Sequence, residues 1–276
     1  MRVLVVGKNG QIARSIDDIS DKYAELEIVY GSRSGGEVFL DLSDDTSIRE
    51  AVQSTKPKII INAAAYTAVD QAEDEPDVAM RINGSAVGTL ATEAENIGAV
   101  LIHISTDYVF DGSLDRPYRV DDEPNPVCAY GRSKLAGEIA TREVSDKHII
   151  VRTAWVYSPY GKNFYKTVLN LAQTRKQLRV VDDQIGNPTP ASLVAEGLLD
   201  LCERIKSGEK DVLGSIIHLA GPDGMTWCGF ARKIFFENNL VCYVEAITTA
   251  DYPTKANRPV NSRLEATILT STREKN

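Results

Sequence analysis

Apolar positions near the start of the chain fall in short unbroken runs. Arg2 to Val6 reads RVLVV, and Lys58 to Asn62 reads KIIIN. Runs this short and this continuous predict strands buried on both faces. Further strands are predicted at 26–30, 38–40, 100–104 and 148–151. Helical spacing intervenes at 11–19, at 46–54, in a long segment ending near Ile97, and at 130–144. Strand and helix in alternation predict an α/β protein with a doubly wound parallel sheet.

The second half is less regular. Helices are expected at 163–174, 191–206 and 226–238, and short strands at 178–181, 215–219 and 241–244. Residues 111–126, rich in Asp and Pro, read as a surface loop, and 250–261 as extended loop. No internal repeat is present.

Composition narrows the classes. The 276 residues are 43% hydrophobic and 25% charged, which suits an ordinary globular chain and excludes a mainly disordered one. With 31 Lys and Arg against 39 Asp and Glu, the formal charge is −8, which argues against a nucleic-acid or anionic-membrane partner. No apolar run approaches the ~20 residues of a spanning helix. A strand at residues 2–6 leaves no room for a signal peptide. Cys128, Cys202, Cys228 and Cys242 are widely spaced without a CxxC pair, which suggests free thiols in a reducing compartment. The expectation is a cytoplasmic protein with no bound metal.

Gly7-Lys8-Asn9-Gly10-Gln11-Ile12-Ala13 follows the first strand and opens the first helix. Gly7 permits a tight turn, Gly10 lets backbone approach a pyrophosphate, and the small Ala13 packs close to the strand. The helix N-terminus offers free N–H groups and a positive dipole end. The pattern points to a dinucleotide. After the second strand, Tyr30-Gly-Ser-Arg33 supplies no acid for a ribose hydroxyl but one cation for a 2′-phosphate. NADPH is therefore the expected cofactor, with NADH as the alternative. Asp41 and Leu42 follow the third strand, where they would flank the adenine, unless Asp41 only caps the next helix.

Tyr130 and Lys134 lie one helical turn apart on a common face. An ammonium beside a phenol lowers its pKa toward the range useful for acid–base work. Ser105 and Thr106 end the fifth strand, at the edge where open α/β sheets bind ligands. A hydroxyl there could hold a substrate carbonyl, while one of the two is expected to cap a turn.

Taken together, these segments resemble the extended short-chain dehydrogenase/reductases, and within them the dTDP-4-dehydrorhamnose reductase family. The resemblance rests on Gly7–Gln11, Asn62–Asp70, Ser105–Gly112 (STDYVFDG), Tyr130–Glu138 (YGRSKLAGE), Arg152–Tyr157, Asp183–Thr189 and Arg258–Leu264, in family order. It implies a Rossmann-type fold and reduction of the C4 keto group of a nucleotide-activated deoxysugar. Tyr130 would be the proton donor, Lys134 its partner and the holder of the nicotinamide ribose, and Thr106 the carbonyl-orienting group. Gly7, Asn9, Gly10, Gln11, Ile12, Arg33, Asp41, Leu42, Ala63, Ala64, Ala65 and Tyr66 would bind the cofactor. Val69, Asp107, Tyr108, Trp155, Asn163 and Arg258 would contact the nucleotide sugar, although Trp155 reads equally well as core packing. The implied division is a cofactor domain, 1–153 with 181–219, and a smaller substrate domain, 154–180 with 220–276.

Three departures from the family stand out. Asn257 replaces an arginine that would reinforce the diphosphate site. Ser15 and Ser192 occupy places where some members hold a bridging metal through glutamates, so a monomer or weak homodimer is expected. Residues 265–276 are short and polar where the family continues into an amphipathic helix. The rival readings are a nucleotide-sugar epimerase or dehydratase, and a non-catalytic subunit like the regulatory subunit of methionine adenosyltransferase.

Overall fold

The computed structural model describes residues 1–267. The first half contains β1 (Arg2–Val6), α1 (Gln11–Ile19), β2 (Glu27–Ser32), β3 (Val38–Phe39), α2 (Asp45–Thr55), β4 (Ile59–Asn62), α3 (Pro76–Met80), α4 (Ala86–Asn96), β5 (Val100–Thr106), α5 (Ala129–Val144) and β6 (His148–Thr153). The second half contains β7 (Val156–Tyr157), α6 (Phe164–Ala172), β8 (Gln177–Val181), β9 (Ile185–Gly186), β10 (Thr189–Pro190), α7 (Ala191–Lys206), β11 (Ser215–His218), β12 (Met225–Thr226), α8 (Trp227–Glu237) and β13 (Tyr243–Ile247).

Seven strands form one sheet in the order β11-β6-β5-β4-β1-β2-β3, and every pairing in it is parallel. The unbroken apolar runs have the expected cause. Val3, Val5, Ile59, Ile61 and Ile102 face α1 and α7, while Leu4, Val6, Ile60 and Leu101 face α2 and α4. Both faces are covered, so both parities of each strand are apolar. The strand order reverses between β1 and β4, and the carboxyl ends of those strands open into a crevice.

The smaller layer has its own core. Phe230, Ile234 and Phe235 of α8 pack with Val168 of α6 and with Leu178, Val180 and Val244 of the parallel pair β8–β13. The last strand runs over 243–247 instead of 241–244. Its register against β8 buries Val244 and Ile247 and leaves Val241 fully in solvent.

The long helix expected before Ile97 begins only at Pro76. Residues 63–70 follow β4 as irregular chain, and α3 joins α4 through a wide turn, Arg81–Ser85. In that turn the buried Asn83 holds the Tyr66 backbone from both sides, accepting from its N–H (2.8 Å) and donating to its carbonyl (3.0 Å). The helix runs on through this one wider turn, and the Asn83 side chain ties it to the irregular chain after β4. Among the described residues no helix is long and apolar enough to cross a membrane. Of the polar tail, residues 265–267 run beside Tyr118 and His218, and 268–276 lie outside the described residues.

Candidate active site

The phosphate loop forms as its glycines require. Gly7 has φ +99°, and a Cβ on it would lie 2.9 Å from that of Ala64. The Gly10 N–H closes the turn on the Gly7 carbonyl at 2.9 Å, and Gly10 caps α1 without offering a side chain. The first N–H groups of α1 are thereby left for a ligand. Asn9 ties this loop to the next by donating to the Ser34 carbonyl (3.1 Å).

From this loop a cavity of about 920 Å³ runs along the carboxyl ends of the strands to α5. Gly7, Asn9, Gly10, Gln11, Ile12, Arg33, Asp41, Leu42, Ala63, Ala64, Ala65 and Tyr66 line one arm. Thr106, Asp107, Tyr130, Lys134 and Trp155 line the other. Ser32, the further donor that the sequence offers beside Arg33, also lines it, as do Ser34, Ser43, Thr153, Gly161 and Lys162, which the sequence did not single out. Arg33 is exposed at the mouth. Asp41 accepts from the N–H and hydroxyl of Ser43, and α2 is capped by Asp44 instead, which accepts from the Thr46 N–H (2.9 Å).

At the catalytic end, α5 is pressed against its neighbours. A Cβ on Gly131 would come within 2.1 Å of the Tyr108 carbonyl oxygen, and one on Gly137 within 2.2 Å of that of Asn83. The helix approaches this closely only because both residues lack side chains. Lys134, fully buried, donates to the Ile104 carbonyl at 2.7 Å and meets His103 Nε2 at 3.4 Å. Loss of hydration lowers its pKa to about 8, although the charge of Glu138 opposes the shift. The Tyr130 phenol is pushed upward by burial, against the opposing hydrogen bond from Thr106. This corrects the expectation that Lys134 would bring it down: desolvation prevails, and the phenol carries its proton at neutral pH.

Thr106 is the turn-capping member of the Ser105–Thr106 pair. Its hydroxyl accepts from the Tyr108 N–H (3.3 Å) and donates to Asp107 Oδ1 (2.9 Å). Asp107 is raised to about 7 by burial. Its Oδ2 is buried without a hydrogen-bond partner among the described residues. Ser105 also lines the cavity, and its hydroxyl donates to Glu138, which Arg152 grips through two bonds of 2.7 and 3.0 Å.

Trp155 adopts φ +46°, a left-handed conformation uncommon for a bulky residue. The turn lays its indole flat against Trp227, with centroids 3.4 Å apart and planes 3° from parallel, over Gly186. The ring is thus both packed and cavity-lining. Trp227, at the start of α8, was not legible as a site residue, because only the folded chain brings it to β7.

Four residues lie outside the main cavity. Asn163 caps α6 by accepting from the Lys166 N–H (3.0 Å) and donates to Gln11 Oε1 (2.7 Å) and the Ser158 carbonyl (2.8 Å). Arg258 forks onto Asp70, next to Val69, at 2.8 and 3.1 Å. Tyr108 connects this cluster to the catalytic end, its ring meeting Tyr130 edge-on at 5.8 Å.

A phosphate-binding turn at β1, a switch-point crevice, and a half-buried phenol beside a buried lysine at its far end define a Rossmann-type oxidoreductase. The sequence profile described as RmlD substrate binding domain matches residues 1–275. The chain is 40% identical to a dTDP-4-dehydrorhamnose reductase of Sinorhizobium fredii over 276 residues, covering 99% of this chain and 91% of the relative. It is 40% identical to that of Escherichia coli K12 over 270 residues, covering 96% and 89%. A crystal structure of a Clostridium acetobutylicum dTDP-4-dehydrorhamnose reductase superposes with TM-score 0.88 at 36% identity, covering 96% and 90%. A Bacillus anthracis counterpart, solved with NADP, gives 0.87 at 35% identity with the same coverage. The chain belongs to the dTDP-4-dehydrorhamnose reductase family.

Proposed function

We propose that this protein catalyses the NADPH-dependent reduction of the C4 keto group of dTDP-4-dehydro-L-rhamnose, giving dTDP-L-rhamnose. The observation that carries the reading is one continuous cavity joining the glycine turn to Thr106, Tyr130 and Lys134, in a chain of this family. The cavity suits the cofactor, because Gly10 caps α1 without a side chain and the first N–H groups of that helix are left for a pyrophosphate.

Bound NADPH supplies the hydride to C4. The loop at Gly7, Asn9, Gly10, Gln11 and Ile12 holds the pyrophosphate, Arg33 with its serine neighbours takes the 2′-phosphate, and Asp41 and Leu42 flank the adenine. Ala63, Ala64, Ala65 and Tyr66 form the floor. Lys134 holds the nicotinamide ribose. Tyr130, protonated because it is buried, donates to the C4 oxygen, and Thr106 fixes that oxygen. Asp107, Tyr108, Val69 and Trp155 border the sugar. Asn163 supports the nucleotide side through Gln11. Arg258 faces the diphosphate, with Asp70 holding its guanidinium in place until an anion competes for it.

The test is stoichiometric loss of reduced-cofactor absorbance with enzymatically generated dTDP-4-dehydro-L-rhamnose, beside an NADH control. Tyr130→Phe should lose at least ~100-fold in kcat while NADPH still binds. Cofactor needed only catalytically would indicate an epimerase. Indifference to Tyr130→Phe would indicate a binding subunit. We further infer a cytoplasmic monomer or weak homodimer that divides into 1–153 with 181–219 and 154–180 with 220–276. Light scattering and limited proteolysis test the last two points.

A further inference from the structure

The smaller layer meets the pyrophosphate helix through the loop 158–163, between β7 and α6. Three side chains of this loop fasten it to α1. Ser158 Oγ and Asn163 Nδ2 both donate to Gln11 Oε1, at 2.9 and 2.7 Å, and the Tyr160 hydroxyl donates to Asp18 at 2.7 Å. Gln11 Nε2 answers with a bond to the Val156 carbonyl at 3.3 Å. Between these anchors stand Gly161, at φ +61°, and Lys162, and both line the cavity.

Lys162 is thus placed by its neighbours and not by its own charge. Its ammonium makes no hydrogen bond or ion pair among the described residues. The other cations of the region are engaged. Lys8, inside the glycine motif, pairs with Glu37 at 3.3 Å and lies over the Tyr30 ring. Arg14 stacks on the Tyr160 ring at 4.0 Å. Lys134 donates to the Ile104 carbonyl, and Arg33 stands at the opposite end of the cavity beside Ser32 and Ser34. The first turn of α1 carries no acid that would repel a phosphate. In a chain of net charge −8, an unpaired cation held against a phosphate-binding arm is the complement an anion needs.

We propose that Lys162 binds the pyrophosphate of the cofactor, at the phosphate nearer the nicotinamide. The turn at Gly7 and Gly10 meets the pyrophosphate with neutral N–H groups, and Lys162 supplies positive charge from the smaller layer. The choice of phosphate follows from the loop's origin. It leaves β7 just after Trp155, which lines the catalytic arm, whereas Arg33 belongs to the adenine end. One loop thereby holds Gln11 through Ser158 and Asn163 and the ligand through Lys162, so cofactor binding draws the two layers together.

The proposal rests on the reading that the cavity holds NADPH, and the experiment separates the two. NADPH is titrated into the full chain and followed by its own fluorescence. No binding to wild type overturns the cofactor reading and this proposal with it. Lys162 is exposed, so Lys162→Met should fold with an unchanged melting temperature. Its Kd for NADPH should rise about fivefold to twentyfold at low salt. The ratio to wild type should shrink as added salt screens the charge. Lys162→Arg, which keeps the charge, should stay within about twofold of wild type. Adenosine 2′,5′-bisphosphate lacks the phosphate on the nicotinamide side and should bind wild type and Lys162→Met alike. Lys8→Met controls for charge in general and should change the NADPH Kd by less than about twofold, since Lys8 is already paired. The proposal falls if Lys162→Met binds NADPH as wild type does, if Lys8→Met weakens NADPH equally, or if the bisphosphate is weakened as much as NADPH. A Kd for dTDP that rises in Lys162→Met while that for NADPH holds would assign the cation to the substrate and overturn it as well.

Discussion

Asn163 donates to Gln11 across 2.7 Å, joining the cap of α6 to the first turn of α1. The contact makes the pyrophosphate helix and the smaller layer mechanically continuous. Asn163→Ala removes a helix cap worth ~1 kcal/mol and frees Gln11. We expect a lower melting temperature and a Kd for NADPH raised about threefold to tenfold, with the sugar KM following only indirectly. A sugar KM that rises alone, at unchanged cofactor affinity, would place Asn163 in direct contact with the substrate nucleotide.

The two tryptophans of the chain are stacked on each other. Trp227→Leu leaves Trp155 without its platform, and an aromatic pair is worth ~0.5–1.5 kcal/mol beyond burial. The expected result is a sugar KM raised about threefold to tenfold with an unchanged Kd for NADPH. Steady-state kinetics and a cofactor titration check both.

Glu138 and Arg152 form an ion pair with side chains only 2% and 1% exposed. Glu138→Gln leaves a buried guanidinium without its countercharge, at a cost of ~3–5 kcal/mol. Urea unfolding should show a lower midpoint at an unchanged slope. The double replacement Glu138→Leu with Arg152→Met should cost less than the single change, because no orphan charge remains.

Burial raises Asp107 from 3.8 to about 7. Between these values the folded protein keeps a proton that the unfolded chain has released, so this group's contribution to stability falls as pH rises through the window. Asp107→Asn removes the slope. The melting temperature of the variant relative to wild type should therefore climb from pH 4 to pH 7 and level off above it, read by calorimetry across that range.

Local features were legible in the sequence because their physics is local. Gly7 and Gly10 mark a turn, four-residue spacing puts Tyr130 and Lys134 on one face, and apolar runs at 2–6 and 59–62 mark doubly covered strands. What could not be read depends on partners far along the chain. Gln11 meets Asn163 across 152 positions and Arg258 meets Asp70 across 188. The wider helical turn at 81–85 brings Asn83 to Tyr66, 17 positions away, and the protonated state of Tyr130 follows from its desolvation in the folded chain. Glu138 and Arg152 each stood within a family-like segment, yet neither segment disclosed that they would pair.

The close contacts at Gly131 and Gly137 bracket Lys134 and stand beside Tyr130. A helix clamped at both points leaves the proton donor almost no freedom to migrate under mutation. Change therefore has one direction open to it. The wall made by Trp155 and Trp227, carried on the turn before β7 and on a separate helix, can be rebuilt without disturbing α5. Descendants of this protein would be expected to alter which sugar they accept by drift in that wall, while the acid–base pair stays fixed.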